Sequence, residues 1–321
     1  EDIPVHFIAA PDRLRLLTGF YFDSRRIGRR IKRFQPDLIH AHGTEDAYTL
    51  VALRSGKPFV VTLQGVMFVI NQRLKPRGLD RMRCMQVVER YCLRRTRHAV
   101  AKSRYIGDEV GRAFPHLTLH EIPNTFDPAI LGTADAPREQ SLIFVGTVYP
   151  RKGVHILREG FARLKKDWPD LTLWIVGNTE NPAPYESEQL GLLKEQWGDD
   201  VVLHGQMTAG ALFDLMARAT ALVAPSLEEM FGNQVIESLL LDTPAVVSDD
   251  TAMAENVRRF GHGAVFPQQD PEGLAEAVRP FLEQVDETER DASKEKVIRT
   301  LGPETVAGKH LEVYETVLRG R

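Results

Sequence analysis

Short apolar runs alternate with segments of helical periodicity along nearly the whole chain, and this alternation limits the accessible folds more than any other feature. Such a rhythm predicts parallel β-sheets whose strands are joined by crossover helices. A chain of 321 residues exceeds one typical hydrophobic core, so two α/β domains are expected. We predict strands at 3–8, 37–41, 58–63, 97–101, 118–122, 141–146, 171–177, 200–204, 221–225, 244–248 and 263–266. We predict helices near 23–34, 44–54, 79–95, 103–113, 153–167, 185–197, 208–218, 233–241, 251–259 and 271–284.

The two halves of this pattern are separated by a segment without hydrophobic periodicity, 127–140, which carries Pro, Gly and Asp residues. We therefore place one Rossmann-like domain at 1–133 and a second at 134–302. The remaining tail, 303–321, is amphipathic and predicts a terminal helix.

The composition is that of an ordinary globular protein, with 43% hydrophobic and 26% charged residues. No apolar run approaches the roughly 18 residues that a membrane-spanning helix needs. Cys84 and Cys92 are the only cysteines and form neither a metal-ligand cluster nor a disulfide framework, which favours a reducing compartment. We expect a cytoplasmic protein, with the inner face of the membrane as the alternative location.

Charge is distributed unevenly along the chain. Residues 1–133 hold 22 Lys and Arg against 13 Asp and Glu, while residues 134–321 hold 19 against 31. The basic excess is concentrated in two segments, 25–33 and 73–97. A solvated helix face explains these segments as well as an anionic membrane surface or an anionic acceptor does. Nucleic acid is not expected as a partner, because aromatic residues are not interleaved with the arginines.

Two carboxylates eight positions apart mark the turn after the predicted strand at 221–225 and the helix that follows it. Glu229 lies in the turn and Glu237 lies on the helix. In open parallel sheets, ligands bind beyond the carboxyl ends of the strands, where the amides of a helix N-terminus can bind a phosphate. A carboxylate accepts two hydrogen bonds at once, which suits a vicinal diol. The simpler alternative is a solvated acidic turn followed by an ordinary helical glutamate.

A second turn of this kind follows the predicted strand at 141–146. It runs from Gly146 through Lys152 to Gly153, where the next helix is predicted to begin. The lysine charge and the amides of the helix start suit a phosphate, although a surface lysine at a helix start would give the same pattern. Because the chain alternates strands and helices, the two turns are expected to be neighbours at one edge of the sheet.

These motifs resemble those of the family 4 retaining glycosyltransferases, whose GT-B fold consists of two Rossmann-like parallel-sheet domains facing across a cleft. The resemblance rests on the two acids, on Phe231-Gly232 after the first of them, and on the Lys152-Gly153 pair. It implies that Glu229 is catalytic and contacts the transferred sugar. The donor-binding residues that it implies are Gly146, Thr147, Arg151, Lys152, Phe231, Gly232, Asn233 and Glu237.

Within this set, the resemblance assigns the nucleotide diphosphate to Lys152 and to the amides of Gly232 and Asn233, and the ribose hydroxyls to Glu237. Thr147 stands where the family usually has an arginine, and Arg151 is the expected substitute. Asn233 also fits a simpler role as the cap of its helix.

The first half of the chain resembles the same family in two segments, Pro36–Gly43 and Pro58–Gly65. His42 is predicted on the acceptor side, while His40 is expected in the core. Gln64 occupies the position of a family histidine beside the reacting centre, so it is the second predicted catalytic residue. A glutamine can hydrogen-bond a sugar hydroxyl but does not titrate near neutrality.

The resemblance also implies that the chain begins at the third strand of the first domain, which would leave that domain incomplete at its N-terminus. The terminal helix, 303–321, is expected to cross back and pack on the first domain, as is common in GT-B proteins.

The sequence therefore predicts a retaining glycosyltransferase that moves a sugar from a nucleotide-diphosphate donor to a sugar, a lipid-linked sugar or a polysaccharide. Glycan, glycolipid or polysaccharide biosynthesis is the expected context. No metal or other cofactor is expected, because cationic side chains and amides would stabilise the departing diphosphate. Two alternatives remain open. One is a non-catalytic partner subunit that binds a nucleotide sugar, which Gln64 and Thr147 favour, and the other is a sugar-nucleotide epimerase of the same architecture.

Overall fold

The chain folds into two compact units, Glu1–Ile122 with Gly308–Arg321, and Pro123–Ala307. The computed structural model describes residues 5–8, 15, 18–44, 46–74, 81–134, 136–177, 183–283 and 290–320. Among the helices of these ranges, none combines the length and the apolarity that crossing a membrane requires.

The first unit is built on a parallel sheet, which within the described residues has the strand order β1-β2-β3-β4. Residues of the two central strands, such as Val61 and Val100, are fully buried beneath the helices. The strands are β1 (Ile39–His42), β2 (Phe59–Thr62), β3 (His98–Ala101) and β4 (Thr118–Glu121). The helices are α1 (Tyr21–Phe34), α2 (Tyr48–Ser55), α3 (Met67–Leu74), α4 (Arg81–Leu93), α5 (Arg104–Ala113) and the larger part of α13 (Pro303–Arg319).

The second unit is a doubly wound parallel sheet with the order β10-β9-β8-β5-β6-β7 among its described residues. The chain starts in the middle at β5, builds outward through β6 and β7, and then returns to the other side of β5 with β8. The strands are β5 (Glu139–Val145), β6 (Thr172–Val176), β7 (Val201–Gly205), β8 (Ala219–Ala224), β9 (Ala245–Ser248) and β10 (Gly263–Phe266). The helices are α6 (Val154–Leu164), α7 (Pro184–Trp197), α8 (Ala209–Arg218), α9 (Asn233–Leu240), α10 (Ala252–Phe260), α11 (Pro271–Glu283) and α12 (Arg290–Leu301).

Successive residues of the central strands in the second unit enter two different hydrophobic clusters, one on each face of the sheet. Val223 of β8 packs with residues of α6, α7 and α11, while Leu222 packs with residues of α8, α9, α10 and α12. Every residue of β8 is buried. Burial on both faces therefore explains why the predicted strand at 221–225 begins with a continuous apolar run.

The predicted fold class, two α/β units with parallel sheets, is confirmed, but one predicted strand needs correction and two helices were not predicted. Residues 5–8 form no strand, and Phe7 is 96% exposed, because a lone extended segment without a ladder partner is not stable. Residues 3 and 4 of that prediction lie outside the described residues. Helices α3 and α12 were not predicted from the sequence pattern.

The segment expected to be a linker, 127–140, lies within the second unit. Its residues Pro128–Gly132 form a 3-10 helix whose first amide is capped by the Asp127 side chain, which accepts from Ala129 N at 3.0 Å. Ile130 is buried in the same hydrophobic cluster as α8 and α9. An aperiodic segment can still pack against a core when one apolar side chain anchors it.

Helix α3 begins under a carboxylate that comes from a different helix. Glu89, on α4, is completely buried, and its Oε2 accepts from Met67 N at 2.8 Å while its Oε1 accepts from Phe68 N at 3.0 Å. The Thr44 hydroxyl donates to the same Oε2 at 2.7 Å. One buried side chain therefore satisfies amides of the first turn of α3, which have no partner inside the helix.

We expect Glu89→Ala to lower the free energy of unfolding by about 3 kcal/mol, because it leaves the amides of Met67 and Phe68 without their acceptor. The Thr44 hydroxyl keeps the Gly65 carbonyl oxygen, at 2.9 Å, as an acceptor. Urea denaturation measures the loss, and faster hydrogen exchange confined to α3 would locate it. The control is Glu109→Ala, which removes a partly exposed partner of Arg112 and should cost less than about 0.5 kcal/mol. Equal effects of the two substitutions would show that Glu89 does not hold α3.

Candidate functional site

The strand order of the second unit brings two functional turns together. The chain leaves β5 toward one side of the sheet and returns on the other side with β8, so the topological switch point lies between these adjacent strands. Crossovers diverge at such a point and leave a crevice beyond the carboxyl ends of the strands. The turn after β5 carries Lys152, and the turn after β8 carries Glu229.

These two turns are joined through their backbones. The amide of Leu227 donates to the carbonyl oxygen of Arg151 at 2.7 Å. Gly153 adopts a left-handed conformation with φ of +69°, and a Cβ at this position would lie 2.0 Å from the carbonyl oxygen of Pro225. Only a residue without a side chain allows the β5 turn to approach the β8 turn this closely.

Two ion pairs bridge the turns on either side of this contact. Lys152 Nζ donates to Glu229 Oε2 at 2.6 Å, and both side chains are largely buried. The Arg151 guanidinium lies 3.8 Å from Glu228 Oε2, which is 1% exposed as a side chain. Two adjacent cations of one turn therefore face two adjacent acids of the other.

The electrostatic environment keeps Glu229 ionised. Burial by itself would raise the pKa of this carboxyl, but the charge and hydrogen bond of Lys152, the charge of Arg151 and the amide of Met230 together hold the pKa below its ordinary value. The sugar-contacting residue predicted from the sequence is therefore a carboxylate whose counterion is already in place.

The turn that carries Glu229 is held from below by α10. The carbonyl oxygen of Glu229 accepts from Ala252 N at 3.0 Å, and that of Phe231 accepts from Asn256 Nδ2 at 2.7 Å. The Phe231 ring itself is buried in the hydrophobic cluster beneath the turn. Phe231 and Asn256 thus fix the backbone of the turn that carries Glu229.

The start of α9 differs from the simple capping role considered for Asn233. Gly232 is the residue that precedes the helix, and Asn233 is its first helical residue. The Asn233 side chain instead accepts from Asn124 Nδ2 at 2.8 Å. Gly232 has φ of +80°, and a Cβ there would meet the Met253 side chain at 2.4 Å. The turn therefore needs glycine. In the first turn of α9, Val235 N donates to the Gly232 carbonyl oxygen at 3.0 Å, while the amides of Asn233 and Gln234 precede the first intrahelical acceptor.

Glu237 lies one turn into α9 and is half-buried. Burial raises the pKa of this carboxyl, and the nearby Asp127 raises it further. The two acids of the motif therefore have environments of opposite kind, since Glu229 has a cationic partner and Glu237 has an acidic neighbour.

The remaining donor-side predictions lie around Lys152. Gly146 directly follows β5, and a Cβ there would lie 3.7 Å from Lys152 Cε, so the lysine stem runs beside the glycine backbone. Thr147 is half-buried, and its carbonyl oxygen accepts from Tyr149 N at 3.0 Å. Within the described residues, no group of three or more His, Cys, Asp or Glu side chains could hold a metal ion.

In the first unit, the other two predicted site residues are neighbours. Gln64 Nε2 lies 3.4 Å from His42 Nδ1, and the side-chain oxygen of Gln64, Oε1, accepts from Lys102 Nζ. An ammonium group has donors only, so this contact determines which end of the amide faces Lys102. Partial burial and the Lys102 charge both lower the pKa of His42, which favours the neutral ring.

His40 has the structural role expected for it. Its Nδ1 lies 2.7 Å from the Tyr314 hydroxyl of α13, and its Nε2 lies 2.6 Å from Thr62 Oγ1. Burial, followed by the proximity of His42 and His310, lowers the pKa of His40 to about 3. The ring therefore stays neutral and joins the end of β1 to the terminal helix.

In the structure, Lys152 pairs with Glu229, and Arg151, the neighbour of Lys152 in the chain, pairs with Glu228. Gln64 lies beside His42. Sequence reasoning missed three supporting residues, Glu228, Lys102 and Asn256. Glu228 had a detectable signal, because two acids in the β8 turn match two bases in the β5 turn. Lys102 and Asn256 gave no such signal, because their partners are an uncharged side-chain amide and a backbone carbonyl oxygen, which no charge pattern in the sequence marks.

Two family models match the chain in succession. The model described as Glycosyltransferase Family 4 matches residues 2–130, and the model described as Glycosyl transferases group 1 matches residues 139–284. The first match falls almost wholly in the first unit, and the second falls in the second unit.

Curated relatives extend this finding. A glycogen synthase from Mycobacterium tuberculosis is 29% identical over 315 residues, a match that covers 92% of this chain and 74% of the relative. A phosphatidyl-myo-inositol mannosyltransferase from Mycolicibacterium smegmatis is 31% identical over 210 residues, which covers 61% of this chain and 52% of the relative.

Solved structures share the fold at lower identity. Sucrose-phosphate synthase from Thermosynechococcus elongatus has a TM-score of 0.82 at 20% identity, with 98% of this chain and 81% of that chain covered. Anabaena HepE in complex with UDP-glucose has a TM-score of 0.71 at 17% identity, with 92% and 81% covered. Both likenesses show the fold, which consists of two α/β domains with parallel sheets.

We expect Gly153→Ala to lower the free energy of unfolding by at least about 2 kcal/mol, because the new methyl group meets the Pro225 carbonyl in a left-handed backbone conformation. Thermal or urea denaturation measures the change. Gly191→Ala is the matched control, because a Cβ there meets nothing within 4 Å and alanine favours the helix by up to about 1 kcal/mol. A harmless Gly153→Ala substitution would contradict the close contact between the turns.

We expect Lys102→Met to raise the pKa of His42 toward its ordinary value of 6.5, because protonation of the ring no longer meets a nearby ammonium charge. Burial still acts, so the value should remain below 6.5. The titration of the His42 ring proton by NMR measures the change. Lys57→Met, which removes a lysine bonded to Gln35 in the same unit, should leave the titration unaltered. If the titration midpoint of His42 is unchanged in Lys102→Met, the charge of Lys102 does not influence the His42 ring.

Proposed function

The chain belongs to the group 1, family 4 glycosyltransferases, and from this premise we propose that it transfers a sugar from a nucleoside diphosphate donor held at the β5 and β8 turns. The observation that carries the proposal is the Lys152–Glu229 ion pair at the topological switch point of the second unit. We further propose that the anomeric configuration is retained, on the strength of the family resemblance.

The donor phosphates are assigned to Lys152 and to the first-turn amides of α9. During transfer, the bond between the anomeric carbon and the diphosphate oxygen breaks, and a bond to the acceptor oxygen forms as the acceptor hydroxyl gives its proton to the departing diphosphate. Negative charge then develops on the departing diphosphate. A fixed ammonium group and oriented amides stabilise that charge more in the transition state than in the ground state. This stabilisation supports a reaction that needs no metal ion.

The ion pair gives Lys152 and Glu229 linked roles. A diphosphate that approaches Lys152 competes with the Glu229 carboxylate for the same ammonium group. Glu229 in turn becomes available to accept hydrogen bonds from the hydroxyls of the transferred sugar. Glu237 is assigned to the ribose hydroxyls, and because its raised pKa brings protonation nearer to neutrality, this interaction weakens as the solution becomes more acidic.

The first unit is assigned the acceptor, with Gln64 and His42 as the polar groups at its strand ends. The relatives named a glycogen synthase and a phosphatidyl-myo-inositol mannosyltransferase support a hexose as the transferred sugar and a sugar, a lipid-linked sugar or a polysaccharide as the acceptor. HepE was solved with UDP-glucose, which makes this the first donor to examine.

The proposal is tested by measuring donor binding and transfer separately in two variants. Lys152→Met should weaken binding of the nucleoside diphosphate by roughly ten-fold or more, since a charged hydrogen bond is lost. Glu229→Gln should instead strengthen that binding by roughly three- to ten-fold, because a competing carboxylate disappears, while transfer falls by about 100-fold. Calorimetry with UDP, GDP and ADP gives the affinities, and labelled UDP-glucose, GDP-mannose and ADP-glucose give the transfer rates.

The control is Lys166→Met, which removes an exposed lysine of the second unit and should change neither quantity. If the nucleotide affinity of Lys152→Met equals that of the wild type, the donor does not bind at the β5 turn. Nucleotide-sugar binding without transfer to any sugar, lipid-linked or polysaccharide acceptor would favour the non-catalytic partner subunit. Formation of an isomerised sugar nucleotide without an acceptor would favour the epimerase.

A further inference from the structure

Helix α1 carries two parallel rows of basic side chains. Arg25, Arg29 and Lys32 form one row, here the inner row, because their spacing places them on one side of the helix. Arg26, Arg30 and Arg33 form the outer row, displaced by about 100° around the helix axis.

The inner row lines a cavity of about 400 Å³ between α1 and α2. Four of the nine residues that line it are cations, the fourth being Arg54 of α2, and none of the nine is acidic. The complete lining consists of Ser24, Arg25, Gly28, Arg29, Ile31, Lys32, Val51, Arg54 and Ser55. All three residues of the outer row are absent from this lining.

The cavity has a defined shape because both helices are packed and Arg54 is tethered. Ile31 and Val51 belong to the apolar cluster that joins α1 to α2, so they form a rigid base. Arg54 Nη1 donates to Ser24 Oγ at 2.8 Å and to the carbonyl oxygen of Gly19 at 3.2 Å. Arg25 Nη1 donates to the Tyr21 hydroxyl at 2.7 Å.

The acidic residue of α1 does not neutralise this cavity. Asp23 is 3% exposed, and its Oδ1 accepts from Arg15 Nε at 3.0 Å. Four cationic groups therefore share one concave surface, and their mutual repulsion is relieved when an anion binds among them.

We propose that this cavity binds a phosphate group. Arginine forks and a lysine point charge match the oxygens of a phosphate monoester, and the Ser24 hydroxyl, which accepts from Arg54, adds a neutral donor. Tyr21, Phe22 and Phe34 of the same helix are exposed, so a lipid headgroup and a soluble phosphomonoester are the two sources of such a group. The proposal concerns the first unit and does not depend on glycosyl transfer.

Gly28 supplies a way to block the cavity without altering its charge. It lines the cavity inside α1, and a Cβ at this position meets nothing within 4 Å. A larger side chain at position 28 therefore grows into the cavity rather than into the protein. Because leucine favours a helix over glycine, Gly28→Leu is expected to fold at least as well as the wild type.

The experiment compares four proteins, all as the full chain: the wild type, an inner-row variant (R25Q, R29Q, K32Q), an outer-row variant (R26Q, R30Q, R33Q) and Gly28→Leu. Shifts of the α1 and α2 amide resonances on addition of inorganic phosphate or glycerol 3-phosphate measure binding at this place, separately from the second unit. Sedimentation with phosphatidylcholine vesicles, with and without phosphatidic acid, measures binding to a lipid phosphate. Circular dichroism and thermal denaturation check that each variant is folded.

We expect the inner-row variant and Gly28→Leu to bind phosphate roughly ten-fold more weakly than the wild type, and the outer-row variant to bind almost as well. This pattern with the soluble phosphates alone identifies a soluble ligand, and the same pattern with phosphatidic acid vesicles identifies a lipid headgroup. Equal losses in both row variants with unaltered binding by Gly28→Leu would overturn the proposal in favour of a general basic surface. Absence of binding by the wild type to every probe would also overturn it.

Discussion

The candidate donor site depends on how closely two strand-end turns approach each other at the switch point of the second sheet. The hydrogen bond from Leu227 N to the Arg151 carbonyl oxygen joins the turns, and Gly153 leaves room for the Pro225 carbonyl. Lys152 and Glu229 lie within two residues of this contact, so the backbone rather than side-chain flexibility determines where their charges meet. The chemistry of the site thus follows from the parallel order of β5 and β8.

In the first unit, buried polar side chains hold neighbouring elements in place. Glu89 of α4 holds the start of α3, and Lys102 at the end of β3 orients the Gln64 amide at the end of β2. The first contact joins two consecutive helices, and the second joins two strand ends whose residues are 38 positions apart. A buried charge is tolerated in both places because hydrogen bonds surround it.

Local pattern predicted what depends on local physics. The apolar run of β8 and the acidic turn after it were placed correctly because burial on both faces and turn chemistry leave signals within a few residues. Helix α3 was missed because its amides are capped by Glu89, which lies 21 positions after Phe68 and so outside any local window. The two turns were expected to be neighbours from the alternation of strands and helices, and β5 and β8 are adjacent. The direct ion pair between Lys152 and Glu229, 77 positions apart, was not predicted, because residue spacing does not say which side chains meet. The segment 5–8 has the composition of a strand, but strand propensity without a partner does not make a sheet.

The internal ion pair at the switch point also bears on selectivity among the many phosphate compounds of a cell. A small inorganic anion that binds Lys152 separates the Glu229 carboxylate from its ion-pair partner. The net attraction of the site for such an anion is therefore small. A molecule that offers hydroxyl donors to the carboxylate and phosphate oxygens to the amine satisfies both at once. In the proposed donor site, this self-neutralisation would favour a ligand that offers both phosphate oxygens and hydroxyl donors over a simple salt.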